Sequence, residues 1–317
     1  MPKETGTANN PVNIAAGTTA IAILTYRRAQ ALRTFMTSLR EHCPGYPVAV
    51  FEDMGNVDDT RRWLTQSAAF KEHDAELEAD RWEAFDYTAF LGTRNVGVSG
   101  NSNRAIRWFL RDMPGFDHLC LCNDDLEAKG DWPAVYADAH RFFPALGLFC
   151  FSDWFDDESK FVPIRERGRV LRFLPVRKGA MMSITRKLLD RIGYFDAETF
   201  GKFGDEHNDF TNRAAQAGFM TVRGQPQHCL DVPCDLLAHQ EAQPSISPIE
   251  KPALDRESAS ALSIASGRYP FTEPCRPFTL GGYSRMAGAY AGAGIHMYSL
   301  RRMNYDAVVH GWVPDLF

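Results

Sequence analysis

The 317-residue chain contains no run of about 18 apolar residues, the length a helix needs to cross a bilayer. Its first residues, MPKETGTANNPVN, are polar where a secretory leader would be apolar, so no membrane anchor is expected. Paired CxxC zinc spacing is missing among the seven cysteines, Cys43, Cys120, Cys122, Cys150, Cys229, Cys234 and Cys275. Reduced, mostly buried thiols and a cytoplasmic location are the expectation. A strong charge imbalance is absent too: 35 Lys and Arg stand against 40 Asp and Glu, a net charge of -5. No global field therefore draws the chain to nucleic acid or anionic lipid. Neither a GxxxxGK[ST] loop nor a GxGxxG fingerprint occurs, and the glycines of LGTRNVGVSGNSNRAI have the wrong spacing. P-loop and dinucleotide-binding readings both weaken.

What is present is a regular alternation of apolar runs and helical patterns. Residues 1–16 are rich in Asn, Thr, Gly and Pro and read as a disordered tail. TTAIAILTY then reads as a strand, and RRAQALRTFMTSLREHC as a helix, because Ala29, Leu32, Phe35, Met36 and Leu39 recur at helical spacing. YPVAVFED with DDTRRWLTQSAAF, and FDYTAFLGT with SGNSNRAIRWFL, repeat the pair; HLCLCNDD is a fourth buried strand. This order predicts an α/β fold with a mostly parallel sheet covered on both faces and a ligand site beyond the strands' carboxyl ends. Beyond Gly130 the pattern gives a helix in DWPAVYADAHRFF, a strand in ALGLFCFSDWF and a Gly-turned hairpin in FVPIRERGRVLRFLPVRKGAMMSIT. RKLLDRIGYFD and DEHNDFTNRAAQAGF are further helices.

The polar residues at the strand ends carry the chemical information. Thr25 and Tyr26 end the first strand, Glu52 and Asp53 the second, and Asn123, Asp124 and Asp125 the fourth. For each of these, a turn-forming or helix-capping side chain is the bland alternative. In NDDLE adjacent carboxylates repel, and a divalent cation, which prefers oxygen ligands, would relieve that repulsion; an Asx turn would not require one. Arg94 suits a phosphate or a base edge, while Asn95 and Asn103 offer directional hydrogen bonds. Glu206, Asp209 and Arg213, spaced i, i+3 and i+7, share one helix face, where the last two either pair or line a site. Arg165, Arg167, Arg169, Arg172, Arg177 and Lys178 make the hairpin basic, as solvated charge or as an anion contact.

In their order and spacing, LTYRR, VAVFEDMGNVDDT, RNVGVSGNSNRAI, LCLCNDDLE, GAMMSITRKLLDRIGYFD and FGDEHNDFTNRAAQAG resemble the family 2 glycosyltransferases of the GT-A fold, over roughly residues 19–240. The resemblance implies inverting transfer of a sugar from a nucleotide diphosphate donor, a UDP-sugar as first choice, to an acceptor hydroxyl, with Mn2+ or Mg2+ as cofactor. It sets Asp53 against the nucleobase, with Thr25, Tyr26 and Arg94 fixing the nucleoside. Arg94, Asn95, Gly97 and Asn103 fall on one donor motif, and Asn123, Asp124 and Asp125 on the acidic motif, whose first acid is Asn here. Asp125 keeps the metal position, and His239 completes it. The family's Glu-Asp pair, whose Asp is the general base, falls on Glu206 and His207 counting back from Arg213, or on Asp205 and Glu206 counting forward from Gly204. Glu206 belongs to both registers and is the expected base, with Asp205 as alternative.

The expected organisation is a tail over residues 1–16, a GT-A domain over 17–242, and an extension over 243–317 that shapes the acceptor site. The acceptor stays open among a glycan, a protein, a small molecule and, less readily, a modified DNA base. A noncatalytic nucleotide-sugar binding or scaffold protein is the alternative, prompted by Asn123 and His207 at acidic positions.

Overall fold

A computed structural model describes residues 18–54, 59–151, 162–166, 168–173, 180–197, 206–222, 225–226 and 230–240. The expected tail and the 243–317 extension lie outside the described residues. In chain order the first half contains β1 (Thr19–Thr25), α1 (Ala29–His42), β2 (Val48–Glu52), α2 (Thr60–Gln66), β3 (Ala69–Asp74), β4 (Ala79–Glu83), β5 (Thr88–Gly92), α3 (Gly97–Asp112) and β6 (His118–Asn123). There follow β7 (Leu126–Ala128), α4 (Trp132–Phe142), β8 (Leu148–Phe151), β9 (Val162–Glu166), β10 (Arg169–Phe173), β11 (Met181–Thr185) and α5 (Arg186–Ile192). The last elements are α6 (Glu206–Gln216), β12 (Thr221–Val222), β13 (Gln225–Pro226), β14 (Leu230–Asp231) and β15 (Leu237–His239).

One eight-stranded sheet, in the order β3-β4-β5-β2-β1-β6-β11-β8, organises the domain. Its centre, β5-β2-β1-β6, is parallel, and antiparallel strands extend it on both sides. All seven residues of β1 are buried, which is why TAIAILT reads as a continuous rather than alternating run. α1 buries Ala31, Leu32, Phe35, Met36 and Leu39, the stripe its periodicity predicts. α3 lies across β1, β2 and β6.

Two features refine the sequence reading. The helix expected over DDTRRWLTQSAAF stops at Gln66, and Ala69 opens β3, which pairs with β4 as an unanticipated edge hairpin. Its sequence AFKEHD is exposed except at the last position, so it carries no apolar periodicity; charged side chains of this kind protect a sheet edge. The expected basic hairpin is β9–β10, with Gly168 at φ +80°, a left-handed turn position that a side chain would strain. Arg169 pairs with Asp138 and lies over the Phe142 ring, whereas Arg167, Arg177 and Lys178 lie outside the described residues.

A polar knot sits inside the core. His140 is buried, its Nδ1 3.0 Å from the Leu146 carbonyl and its Nε2 3.0 Å from Ser183 Oγ. Since a carbonyl only accepts, Nδ1 carries the proton and Nε2 accepts from the Ser183 hydroxyl. Burial pushes the His140 imidazole down to about 3, and the neighbouring His118, stacked at 4.9 Å, pushes the same way. The unfolded chain takes up a proton near pH 6.5 that the folded chain refuses, so stability falls as pH drops below 6.5. Urea titrations at pH 6 and pH 4.5 should differ by an excess on the order of 2 kcal/mol over His140→Gln, which lacks this proton uptake; equal pH slopes in the two proteins would contradict the assignment.

Candidate functional site

Parallel register brings the strand ends to one level: Leu24 pairs with Asn123 and Thr25 with Glu52. The Asp53 amide donates to the Thr25 carbonyl at 3.1 Å, and Thr25 Oγ1 donates to Asp124 Oδ2 at 2.7 Å. Both loops turn through left-handed non-glycine residues, Arg27 at φ 56° after β1 and Met54 at φ 52° after β2. Such conformations cost about 1–2 kcal/mol per residue and persist only where the surroundings fix them.

Arg28, at the head of α1, joins the carboxylates of the third loop. Its Nη1 is 3.1 Å from Asp124 Oδ1 and its Nη2 2.9 Å from Asp125 Oδ2. Burial raises the Asp124 carboxyl to about 7, against the opposing pull of Arg28 and the Thr25 hydroxyl. Asp125 Oδ1 is buried and has no hydrogen-bond partner among the described residues.

His239 is brought to the same corner by strand pairing. β15 pairs antiparallel with β7, setting His239 opposite Leu126, and the Asp125 carbonyl accepts the Gln240 amide at 2.7 Å. The His239 ring stacks on Phe151, with centroids 5.8 Å apart. Among the described residues no cluster of three or more His, Cys, Asp or Glu is arranged to hold a metal ion. An ion at Asp125 and His239 would therefore complete its shell with diphosphate oxygens and water. Oxygen and imidazole donors, one of them a desolvated carboxylate oxygen, fit Mn2+ or Mg2+ in that form.

The residue expected to face the nucleobase, Asp53, is 4% exposed. Its Oδ1 accepts the Val96 amide at 2.8 Å and Arg104 Nη1 at 3.1 Å, and its Oδ2 accepts the Gly97 amide at 2.7 Å. Among the described residues, three of about four acceptor directions of the carboxylate are thus filled, leaving one on Oδ2. Burial pushes the Asp53 carboxyl up, while the two amides and Arg104 hold it down. Arg104 reaches Asp53 because Gly92 has no side chain: a Cβ there would stand 2.6 Å from Arg104 Nη1 and 2.9 Å from the Glu52 carbonyl. Glu52 is itself fully buried and accepts Arg61 Nε at 2.6 Å.

Other expected donor residues are distributed differently. Asn103 is engaged with the Phe195 backbone: its Nδ2 donates to the Phe195 carbonyl at 2.9 Å and its Oδ1 accepts the Phe195 amide at 2.8 Å. Arg94 is exposed and forks onto Glu78 at 2.7 and 3.1 Å. Tyr26, Asn95 and Asn123 are partly exposed; the Arg27 guanidinium lies 4.8 Å from the Tyr26 ring centroid.

The first turn of α6 bears the expected base. Asp205 lies outside the described residues. Glu206 is 3% exposed; one oxygen is 3.0 Å from His207 Nδ1, and Oε2 has no hydrogen-bond partner among the described residues. Asp209 and Arg213 form the i, i+4 ion pair at 2.8 Å, both buried, and Arg213 also donates to the Ile192 and Tyr194 carbonyls. They therefore anchor α6 rather than line a site. Sequence reasoning missed Arg28 and Arg104. Arg28 belongs to the basic pair that follows strand one and could have been found there, whereas Arg104 is indistinguishable in sequence from a surface residue of α3.

No family model matches the chain, and no curated protein matches it by sequence. Solved structures do match in fold. A structure of GalNAc-T7 with UDP, GalNAc and Mn2+ is 12% identical, with a TM-score of 0.58, covering 92% of this chain and 57% of that one. The chain thus spans little more than half the length of that relative. A mannosyltransferase, PcManGT from Pyrobaculum calidifontis in complex with GDP-Man and Mn2+, is 15% identical over 94% of this chain and 87% of its own, at TM-score 0.44. S. aureus TarS 1-349 is 11% identical over 63% and 55%, at TM-score 0.41. Together with the sheet order, the first likeness gives the fold: this chain has the GT-A architecture.

Breaking the buried Asp53–Arg104 pair leaves a charge stranded in the core. Arg104→Met should cost about 3–5 kcal/mol in urea denaturation, and Asp53→Asn on that background should cost much less than in the wild type. Additive losses would show that the two side chains do not act as a unit.

Proposed function

We propose that the protein is an inverting, metal-dependent glycosyltransferase that takes its sugar from a nucleotide diphosphate donor, a UDP-sugar as first choice. The observation that carries this reading is the corner at the carboxyl edge of the sheet, where Asp125 Oδ1 is buried without a partner among the described residues and the backbone pairing of Asp125 with Gln240 brings in His239. The likeness in fold to GalNAc-T7, whose structure holds UDP, GalNAc and Mn2+, supports it.

In this reading Asp125 and His239 hold the cation. When bound, Mn2+ or Mg2+ supplies positive charge that stabilises the departing diphosphate. Arg28, which spans Asp124 and Asp125, would supply a fixed positive charge beside a bound diphosphate. Thr25 holds Asp124 in place. The spare acceptor direction of Asp53 takes a base N–H, and Tyr26, Arg94 and Asn95 border the nucleoside. Glu206, in the first turn of α6, is the general base that removes the acceptor hydroxyl proton as the oxygen attacks the anomeric carbon opposite the leaving group, with Asp205 as the alternative. The reduced, buried thiols suit a cytoplasmic setting: burial pushes Cys43 and Cys120 up to about 12 and Cys234 to about 11, out of the reactive range.

A noncatalytic nucleotide-sugar binding protein is the second reading, favoured by Asn123 where the family motif has its first acid. Slow release of UDP from UDP-sugars with Mn2+, in the absence of an acceptor, separates the two.

Thermal shift with a panel of UDP-, GDP- and dTDP-sugars, with and without Mn2+, tests the proposal. A donor at 100 times its Kd should add about 2.7 kcal/mol of stability, only with Mn2+ present. Asp125→Ala should lose the Mn2+-dependent part. Unchanged donor affinity in that variant would remove Asp125 from the site.

A further inference from the structure

We propose that Arg28 selects the cation of the Asp125–His239 corner: by keeping hold of Asp125 Oδ2 it leaves that carboxylate a single ligand oxygen, Oδ1, and so favours a small octahedral ion, Mn2+ or Mg2+, over Ca2+. This rests on the glycosyltransferase reading, in which Asp125 and His239 bind the ion, and assigns to Arg28 the choice between ions.

Local structure fixes where the guanidinium starts. The left-handed turn at Arg27, φ 56°, delivers Arg28 to the N-cap of α1, where its carbonyl accepts the Leu32 amide at 3.0 Å. Two carboxylates fix where the side chain ends. Nη2 donates to Asp125 Oδ2 at 2.9 Å, and Nη1 forms an ion pair with Asp124 Oδ1 at 3.1 Å. Side-chain exposures of 15% for Arg28, 3% for Asp124 and 14% for Asp125 leave little water to replace either contact. Nε of Arg28 has no hydrogen-bond partner among the described residues, so the grip on the guanidinium lies in its two Nη groups.

Asp125 is held from the opposite side. Its carbonyl accepts the Gln240 amide at 2.7 Å, and Gln240 Nε2 donates to the Ala31 carbonyl at 3.1 Å and to the Leu126 carbonyl. One glutamine thus ties the turn between β6 and β7 to the first turn of α1, the helix that Arg28 caps. The backbone on both sides of the Arg28–Asp125 contact is therefore cross-tied, unlike that of an exposed ion pair.

Coordination chemistry turns this arrangement into selectivity. Oδ1 of Asp125 is buried without a hydrogen-bond partner among the described residues, whereas Oδ2 is engaged by Arg28. A cation that needs one carboxylate oxygen finds it at Oδ1. One that gains from both must expel the guanidinium from Oδ2 and break a largely buried charge pair. Mg2+ demands near-ideal octahedral geometry and Mn2+ favours the same arrangement, so one carboxylate oxygen, the His239 imidazole, diphosphate oxygens and water complete the shell. Ca2+ takes roughly six to eight oxygen ligands and uses carboxylates through two oxygens as well as through one. Arg28 closes the two-oxygen mode, and His239 offers nitrogen where Ca2+ prefers oxygen.

The experiment titrates the full chain with MnCl2 in the presence of UDP, follows free Mn2+ by electron paramagnetic resonance, and then adds CaCl2 as competitor. In Arg28→Met the ratio of the Ca2+ to the Mn2+ dissociation constant should fall at least about tenfold from its wild-type value, because both Asp125 oxygens become available. The ratio cancels whatever effect of the lost charge the two divalent ions share. A crystal structure of the wild type with Mn2+ and UDP gives a second readout, independent of how well the variant folds: the contact from Arg28 to Asp125 Oδ2 should persist, with the ion on Oδ1. A ratio that Arg28→Met leaves unchanged while Mn2+ still binds would overturn the proposal, and the glycosyltransferase reading would stand. An ion chelated by both Asp125 oxygens, with Arg28 turned away, would overturn it equally. A wild type that binds no Mn2+, with or without UDP, would instead refute the Asp125–His239 ion site, and the proposal with it.

Discussion

Asp53 is where the functional edge of the sheet is tied together. Its backbone amide binds β1 at Thr25, and its carboxylate binds the first amides of α3 and the guanidinium of Arg104. A buried carboxylate with three donors aimed at it has little freedom, so β1, β2 and α3 hold a fixed relation at the end where their loops meet. That relation propagates along α3. Asn103 grips Phe195, and Phe195 supports His207 and Phe210. The first turn of α6 is thus linked, through Phe195 and Asn103, to the helix whose N-terminus Asp53 holds.

The second constraint is charge. Asp124 and Asp125 are delivered side by side to the end of a buried strand, and a single guanidinium, Arg28, spans them. Burial drives Asp124 toward its neutral form, and one Asp125 oxygen is left without a partner among the described residues. The left-handed turns at Arg27 and Met54 store strain beside this corner. In the proposed function, a cation held at Asp125 would take up the carboxylate oxygen that has no partner among the described residues.

Much of the fold was legible because burial on both faces writes itself into the sequence. TAIAILT, VAVFE and HLCLC are unbroken apolar strands, and the helices between them carry clean stripes. The β3–β4 hairpin was not legible, since an exposed edge strand such as AFKEHD has no apolar face to advertise it. At the site, the strand-end residues Thr25, Asp53, Asp124 and Asp125 announced themselves by position. Arg104 did not, because a buried arginine is identical in sequence to a solvated one, and only the gap at Gly92 admits it. Asn103 was visible as a polar residue near a helix start, but its partner is the Phe195 backbone, a contact between residues far apart in the chain that no local pattern encodes. The ambiguity between Glu206 and His207 likewise concerned register, which a single sequence does not fix.

The proposed function turns on one divalent ion bound between Asp125 and His239 together with a nucleoside diphosphate. Pulsed electron paramagnetic resonance of Mn2+ added with UDP measures this directly. A nitrogen-14 coupling from a single coordinated imidazole, lost in His239→Ala, together with phosphorus-31 coupling from the diphosphate, is the predicted result. A Mn2+ signal without nitrogen coupling, or one that His239→Ala leaves unchanged, would contradict it.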